Sequence, residues 1–127
     1  MTKMRLLAAP LVAALLVAPA AARAAGDAAK GATIFRRCLI CHTIQEGAPN
    51  RVGPNLHGLF ARNAGKAPGF AGYSQGLKGA DFTWDDARLD EWLANPQKFI
   101  PGARMVFRVT DEQERQDVIA YLHQATK

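Results

Sequence analysis

The sequence predicts a small all-α domain in which three main helices are joined by long, glycine-rich loops. Apolar residues recur at helical spacing in three places, and no segment shows the alternation that a β-strand would show. The 40 residues between Thr43 and Phe82 have no convincing period and hold eight of the eleven glycines. A loop of that length is unusual inside a compact domain, so we expect it to wrap something large and apolar.

Residues 1–24 have the layout of a cleaved signal peptide, and the domain is expected over residues 25–127. Two basic residues precede an apolar run over residues 6–17, and an A-x-A pattern ends at residue 24. The run is shorter than the ~20 residues that a membrane span needs. Cleavage would leave the domain in the periplasm without stable membrane insertion, and an uncleaved anchor is the alternative.

The charge of the chain depends on this cleavage. The full sequence has 16 basic and 11 acidic residues, a net charge of +5. Lys3, Arg5 and Arg23 leave with the signal peptide, so the remaining chain has 13 basic and 11 acidic residues and a net charge of +2. An excess this small removes most of the support for nucleic-acid binding.

The first helix should begin at Asp27, a good N-cap residue, and continue through Arg37. Gly31 and Phe35 lie four residues apart and therefore share one face. Glycine costs about 1 kcal/mol within a helix, and the close approach of another backbone would explain its use here.

The letters CLICH follow, with Cys38, Cys41 and His42. C-x-x-C-H is the attachment signature of c-type haem, because two thiols can add to the porphyrin vinyl groups while the next imidazole reaches the iron. We expect one covalent haem c per chain, with thioethers from both cysteines and His42 as the proximal iron ligand. A zinc site would need a fourth ligand from His57 or His123, and a redox disulfide would need a βαβ context that is not seen.

The second and third helices begin with predicted capping boxes. The second should begin at Thr83, with Asp86 completing the box, and should end before Pro96. The third should begin at Thr110, with Gln113 completing the box. Their apolar faces are formed by Leu89, Trp92 and Leu93 in the second helix and by Val118, Ile119, Tyr121, Leu122 and Ala125 in the third.

Met105 is the only methionine beyond the signal peptide, and it follows a stiff Pro101-Gly102 pair. A second axial ligand is usual when haem carries electrons, and a methionine there raises the reduction potential. Met105 is therefore the expected sixth ligand. His57, in a loop, and His123, on a helix surface, are the alternatives.

The segments CLICHT, VGPNLHGLF, KAPGF, NPQKFIPGARMVF and DVIAYLHQATK together resemble class I monohaem cytochrome c, close to the mitochondrial and bacterial c2 types. The resemblance covers nearly all of residues 26–127. It implies the small cytochrome c fold, with three main helices and long Gly-rich loops wrapped around one covalently bound haem.

The same resemblance implies roles for residues outside the C-x-x-C-H motif. The Pro54 carbonyl would accept the second ring N–H of His42, a contact that orients the ligand. Arg62, Tyr73 and Trp84 match positions that hydrogen-bond haem propionates. A packed crossing of the first and last helices would involve Gly31, Phe35, Val118 and Tyr121.

Two positions depart from the family near the methionine. Trp92 stands where the family usually has Tyr, and Ala103 where it usually has Thr. Two hydroxyls are thus lost, so we expect a drier environment beside Met105. The Trp92 N–H needs a partner when buried, and a propionate or a backbone carbonyl would serve.

With His and Met both bound, the iron has no open position for a substrate, which favours a monomeric one-electron carrier rather than an enzyme. The expected partners are a cytochrome bc1-type reductase and a terminal oxidase or reaction centre. An acidic partner surface would suit the basic residues near the haem edge, namely Arg36, Arg37, Lys98, Arg104 and Arg108. A membrane-tethered or complex-bound subunit and a weak haem peroxidase are the alternatives.

Overall fold

The fold is all-α, as a computed structural model of residues 25–127 describes it; the predicted signal peptide lies outside the described residues. Three longer helices agree with the expected three: α1 (Ala28–Phe35), α3 (Asp86–Ala94) and α5 (Glu112–Ala125). Two short helices that the sequence did not predict are α2 (Gln75–Lys78) and α4 (Pro96–Phe99). Within the described residues, the one β-type pairing is an isolated bridge between Asn63 and Thr83.

The first and last helices cross at small residues, as expected. A Cβ atom on Gly31 would lie 2.0 Å from the Asp117 carbonyl oxygen, so only glycine permits this approach. Beside it, the rings of Phe35 and Tyr121 pack with centroids 5.2 Å apart. The Asp27 N–H donates to Asp117 Oδ1 at 2.8 Å, which ties the start of α1 to the middle of α5.

The predicted start of the second long helix at Thr83 is wrong. Asp85 is the N-cap of α3, and its carboxylate accepts from the Arg88 N–H at 2.8 Å. The Thr83 hydroxyl instead donates to Asn63 Oδ1 at 3.2 Å. A contact with a distant loop therefore takes the hydroxyl that would have formed the cap.

The predicted cap of the last helix is also wrong, by one residue. Asp111, and not Thr110, is the N-cap of α5, with its carboxylate accepting from the Glu114 N–H at 2.8 Å. Gln113 does not close a capping box. Its side chain donates to Asp117 Oδ1 at 3.0 Å, where it supports the crossing with α1.

Side-chain amides organise the long loop that follows the C-x-x-C-H motif. Asn55 Nδ2 donates to the carbonyls of Gln45 and Ala48, each at 2.8 Å. Asn50 accepts from the Asn55 N–H at 2.8 Å and donates to the Pro68 carbonyl at 2.9 Å. These bonds satisfy backbone groups that no helix or sheet provides for.

The end of α5 is fastened to the same loop. The Gly58 N–H donates to the Thr126 carbonyl at 2.6 Å. The His123 ring stacks on Phe60 with centroids 3.8 Å apart. None of the helices formed by the described residues has the length and apolar character that crossing a bilayer requires.

Candidate functional site

The two cysteines lie in a tight turn directly after α1. The helix ends at Phe35, before the expected Arg37, and a 3₁₀ turn covers Cys38–Ile40. The Cys38 carbonyl accepts from the N–H groups of Cys41 at 3.1 Å and His42 at 2.9 Å. Both cysteines are unpaired and half-buried, so the turn holds two thiols and not a disulfide.

Burial also sets the protonation of the first thiol. It raises the pKa of Cys38 to about 11, against the opposing effect of the Arg37 charge. The thiol is therefore protonated at neutral pH.

The imidazole of His42 is oriented by the loop that carries Pro54. His42 Nδ1 lies 2.7 Å from the Pro54 carbonyl oxygen. Because a carbonyl oxygen only accepts, Nδ1 carries the proton, and the Nε2 lone pair remains available to a metal. Burial lowers the pKa of His42, with the bond to Pro54 opposing, and so favours the neutral ring that ligates.

Gly53 gives the imidazole its space, and the sequence analysis did not identify it. A Cβ atom on Gly53 would lie 2.4 Å from His42 Cε1 and 2.8 Å from each ring nitrogen. The Gly53 N–H also donates to the Cys41 carbonyl at 2.8 Å, which fastens this wall to the motif turn. The sequence feature that could have indicated this role is the position of Gly53 directly before Pro54, the residue expected to orient the His42 ring.

Arg62 and Tyr73 are brought together, as their shared expected role requires. The Arg62 guanidinium donates to the His57 carbonyl and, at 2.8 Å, to the Asn55 carbonyl. Burial lowers the pKa of Arg62, while the neighbouring Tyr73 hydroxyl acts in the opposite direction. The Tyr73 hydroxyl accepts from the Ala67 N–H at 3.0 Å.

Trp84 belongs to a group of four aromatic rings. Its ring centroid lies 5.2 Å from that of Phe82, 5.5 Å from that of Trp92 and 6.0 Å from that of Phe99. Ala103, the second departure from the family, is 4% exposed. Trp92 and Ala103 are thus both buried, and the dry environment expected beside Met105 stays a prediction.

Met105 is half-buried and packs against the hydrophobic core. Gly102, with φ of 82°, turns the chain before it. The Val109 N–H then donates to the Leu93 carbonyl at 2.8 Å and anchors the segment to α3. The alternative ligand His123 is exposed, and its Nε2 is bonded to Asp86.

The described residues fit a covalent haem better than a metal ion alone. Within residues 25–127, no three His, Cys, Asp or Glu side chains come together as a metal site would require. The site instead offers two free thiols, an imidazole with Nε2 available, and a glycine wall against the ring. Half-buried apolar side chains also pack against the hydrophobic core, among them Leu56, Phe70 and Met105.

Comparison with known proteins gives a consistent result. Residues 28–126 match the Cytochrome c family. The chain is 47% identical over 114 residues to cytochrome c2 of Blastochloris viridis, covering 89% of this chain and 87% of that protein. It is 44% identical over 113 residues to cytochrome c2 of Rhodomicrobium vannielii, covering 88% and 90%. It is also 43% identical over 104 residues to cytochrome c of Kluyveromyces lactis, covering 80% and 94%.

Proposed function

The chain belongs to the cytochrome c family, and on that premise we propose that it is a soluble periplasmic electron carrier with His/Met ligation. As a member of the family it carries haem c covalently and is an electron carrier, not an enzyme. The bound haem supplies one iron that alternates between the ferric and ferrous states. The polypeptide has to hold that group, exclude water from it and present its edge to partners.

Four residues would hold the haem at its edge and iron. Cys38 and Cys41 supply the thiols, and His42 supplies Nε2, the nitrogen that its bond to Pro54 leaves available. Met105 is the sixth ligand. The bond between His42 and Pro54 is the observation that carries this assignment, since it occupies Nδ1 at 2.7 Å and leaves Nε2 available.

Three further residues would hold the propionates. Arg62 and Tyr73 lie together and are fixed by backbone partners. Trp84 is buried among aromatic rings. Guanidinium, hydroxyl and indole groups all donate hydrogen bonds, which a carboxylate needs if it is to remain ionised in a partly apolar site.

Visible spectra of the purified protein in both oxidation states test the ligation. We expect the parent protein to be low-spin in both states. Met105→Ala should give a high-spin or differently ligated haem of lower potential, with new peroxidase activity. His123→Ala is the matched control and should keep the parent spectrum. If His123→Ala changes the spectrum and Met105→Ala does not, the sixth ligand is His123 and not Met105.

The surface around the motif has the composition of a docking face. All five large hydrophobic residues that are exposed in the described chain lie in three of its segments: Leu39, Ile40, Val52, Val106 and Phe107. Arg51 donates to the Leu39 carbonyl at 2.8 Å, and the Arg37 guanidinium lies 5.7 Å from the Phe107 ring centroid. These contacts bring the segments together into an apolar surface of the kind that marks interaction sites.

Exposed cations accompany these apolar residues, with one correction to the expectation. Arg36, Arg104 and Arg108 are exposed near these segments in the sequence, and Lys98 is exposed on α4; with the five apolar residues we call the four cations the docking face. Arg37 is less free than expected, because it forms a 3.0 Å ion pair with Glu114 of α5. The remaining cations favour an acidic surface on a cytochrome bc1-type reductase, a terminal oxidase or a reaction centre.

The docking face is tested by the second-order rate of reduction by a purified bc1-type reductase at several ionic strengths. We expect the rate to fall as salt is added, because screening weakens steering. Arg108→Glu should slow the reaction several-fold at low salt and much less at high salt. Lys127→Glu makes the same charge change outside the docking face and should have little effect; equal effects of both variants would contradict the assignment.

A further inference from the structure

Trp84 and Trp92 are buried side by side, yet neither gives its indole N–H to the protein. They are 9% and 8% exposed, with ring centroids 5.5 Å apart. Across residues 25–127, no backbone carbonyl and no side chain accepts a hydrogen bond from either indole. Of the two partners expected for Trp92, the backbone carbonyl is thus excluded.

The two N–H groups lie at the edge of the aromatic group and not within it. Every fully buried side-chain nitrogen or oxygen in the described residues has a hydrogen-bond partner. Since the two indole nitrogens have none, each must keep some accessible surface. Phe82 and Phe99, which surround them, offer no acceptor. A largely buried donor without a partner costs about 1–3 kcal/mol, so each indole N–H requires an acceptor outside residues 25–127, either water or a bound group.

The chemistry of that acceptor follows from the number of donors. A single acceptor shared by both N–H groups needs several lone pairs, and a carboxylate offers about four. A thioether sulfur is a weak acceptor by comparison. A carboxylate beside apolar rings, in turn, needs more than one hydrogen bond to remain charged. The haem of this family carries two such groups, its propionates.

We propose that Trp84 and Trp92 form a paired indole site for one haem propionate, in which Trp92 is a donor that the family's usual Tyr does not provide. The inference rests on the proposed function in that it requires haem in this site. Trp92 is then a positioning residue, which orients the carboxylate and partly offsets its charge. Without this donor the carboxylate charge is less compensated, ferric iron is favoured, and the reduction potential falls.

The test uses the ferrous holoprotein with ¹⁵N-labelled tryptophan and with haem labelled at the propionate carboxyl carbons through ¹³C-5-aminolevulinate. Hydrogen exchange of the two indole N–H signals is measured first on the unmodified sequence, which requires no variant to fold. Bonds to a charged acceptor should slow both signals by on the order of 10- to 100-fold relative to free indole. Infrared spectra then follow the labelled carboxylate bands in Trp92→Phe.

Trp92→Phe should shift one carboxylate band, lower the potential and leave the signature of Met105 ligation unchanged. Phe99→Leu is the matched control, because Phe99 contacts both tryptophans but carries no donor; it should leave the band in place. Fast exchange of the Trp92 N–H would mean that water is its partner and would overturn the proposal. If Trp92→Phe changes Met105 ligation and leaves the carboxylate bands unmoved, the Trp92 N–H bonds to the Met105 sulfur instead, and the proposal is wrong.

These readouts separate this inference from the proposed function. If no haem is attached, or if Met105→Ala leaves the spectrum unchanged, the proposed function or ligation fails. If haem is attached and ligated as proposed while Trp92→Phe leaves the labelled carboxylate bands unchanged, only the paired indole site is refuted.

Discussion

Replacing Gly53 by alanine should disturb His42, the proposed proximal ligand, because no free space separates the two residues. The new Cβ would lie 2.4 Å from His42 Cε1, whereas ordinary contacts begin at 3.4 Å. The ring or the loop must therefore move by about 1 Å. If the ring moves away, the 2.7 Å bond to Pro54 lengthens to about 3.7 Å and is lost as a hydrogen bond.

The expected effects are a higher reduction potential and a less stable fold. A hydrogen bond from the second ring nitrogen makes His42 more basic and favours ferric iron. The bond is worth about 1 kcal/mol, which for one electron corresponds to a rise of at most about 40 mV. Overpacking should also lower the free energy of unfolding by about 1–3 kcal/mol.

Voltammetry and denaturant unfolding of the holoprotein measure both quantities. Gly79→Ala is the matched control, because its φ is −89° and its Cβ would lie 3.5 Å from the nearest atom, the Gln75 carbonyl oxygen. We expect the control to keep the parent potential. A Gly53→Ala protein with unchanged potential and stability would refute the reasoning, since it would mean that Gly53 and Pro54 move together without strain.

Gly31→Ala should lower the free energy of unfolding by about 1–3 kcal/mol, because its Cβ would lie 2.0 Å from the Asp117 carbonyl oxygen; a thermal midpoint equal to that of the parent would contradict the close crossing. Hydrogen bonds from the Asp27 N–H and from Gln113 lower the pKa of Asp117 below its ordinary 3.8. The charged carboxylate therefore stabilises the fold fully above pH 3.8, and this stabilisation is lost as the pH falls through the lower folded-state pKa. Asp117→Asn should consequently unfold at a higher pH than the parent during acid titration. Titration curves that coincide for the two proteins would contradict this. Asp85→Ala should lower the free energy of unfolding by about 1 kcal/mol, because the α3 cap is lost. Thr83→Val should lower it less in the same urea titration. A larger loss for Thr83→Val would mean that Thr83 is the cap.

The chemistry of the site could be predicted from the sequence because it is local. Cys38, Cys41 and His42 lie within five residues of the chain. Met105, chosen as the only methionine beyond the predicted signal peptide, stays a prediction. The crossing of the first and last helices was also predictable, since the resemblance supplied a reason for Gly31. These features depend on residue type and spacing, which the sequence states directly.

Helix boundaries could not be predicted where two capping residues compete. Thr83 and Asp85 can both cap a helix, and the choice depends on Asn63, twenty residues away. The short helices α2 and α4 are too brief to show a period. They are set by single caps, Ser74 and Asn95.

Long-range pairs were beyond sequence reasoning for the same reason. The ion pair between Arg37 and Glu114 joins residues 77 positions apart. It pairs one of the five cations that were expected near the haem edge with an acidic residue. Gly53 was also missed, because its role depends on where the His42 ring lies and not on any property of its own segment.

The crossing of α1 and α5 also has a consequence for the order of events during biosynthesis. The contact at Gly31 joins residues that are far apart in the chain, so α1 has nothing to pack against until the last turns of α5 have been made. A ribosome releases the cysteine motif long before that moment. Closing so long a loop is slow compared with local folding, so the turn that carries the two thiols should form before the helix crossing does.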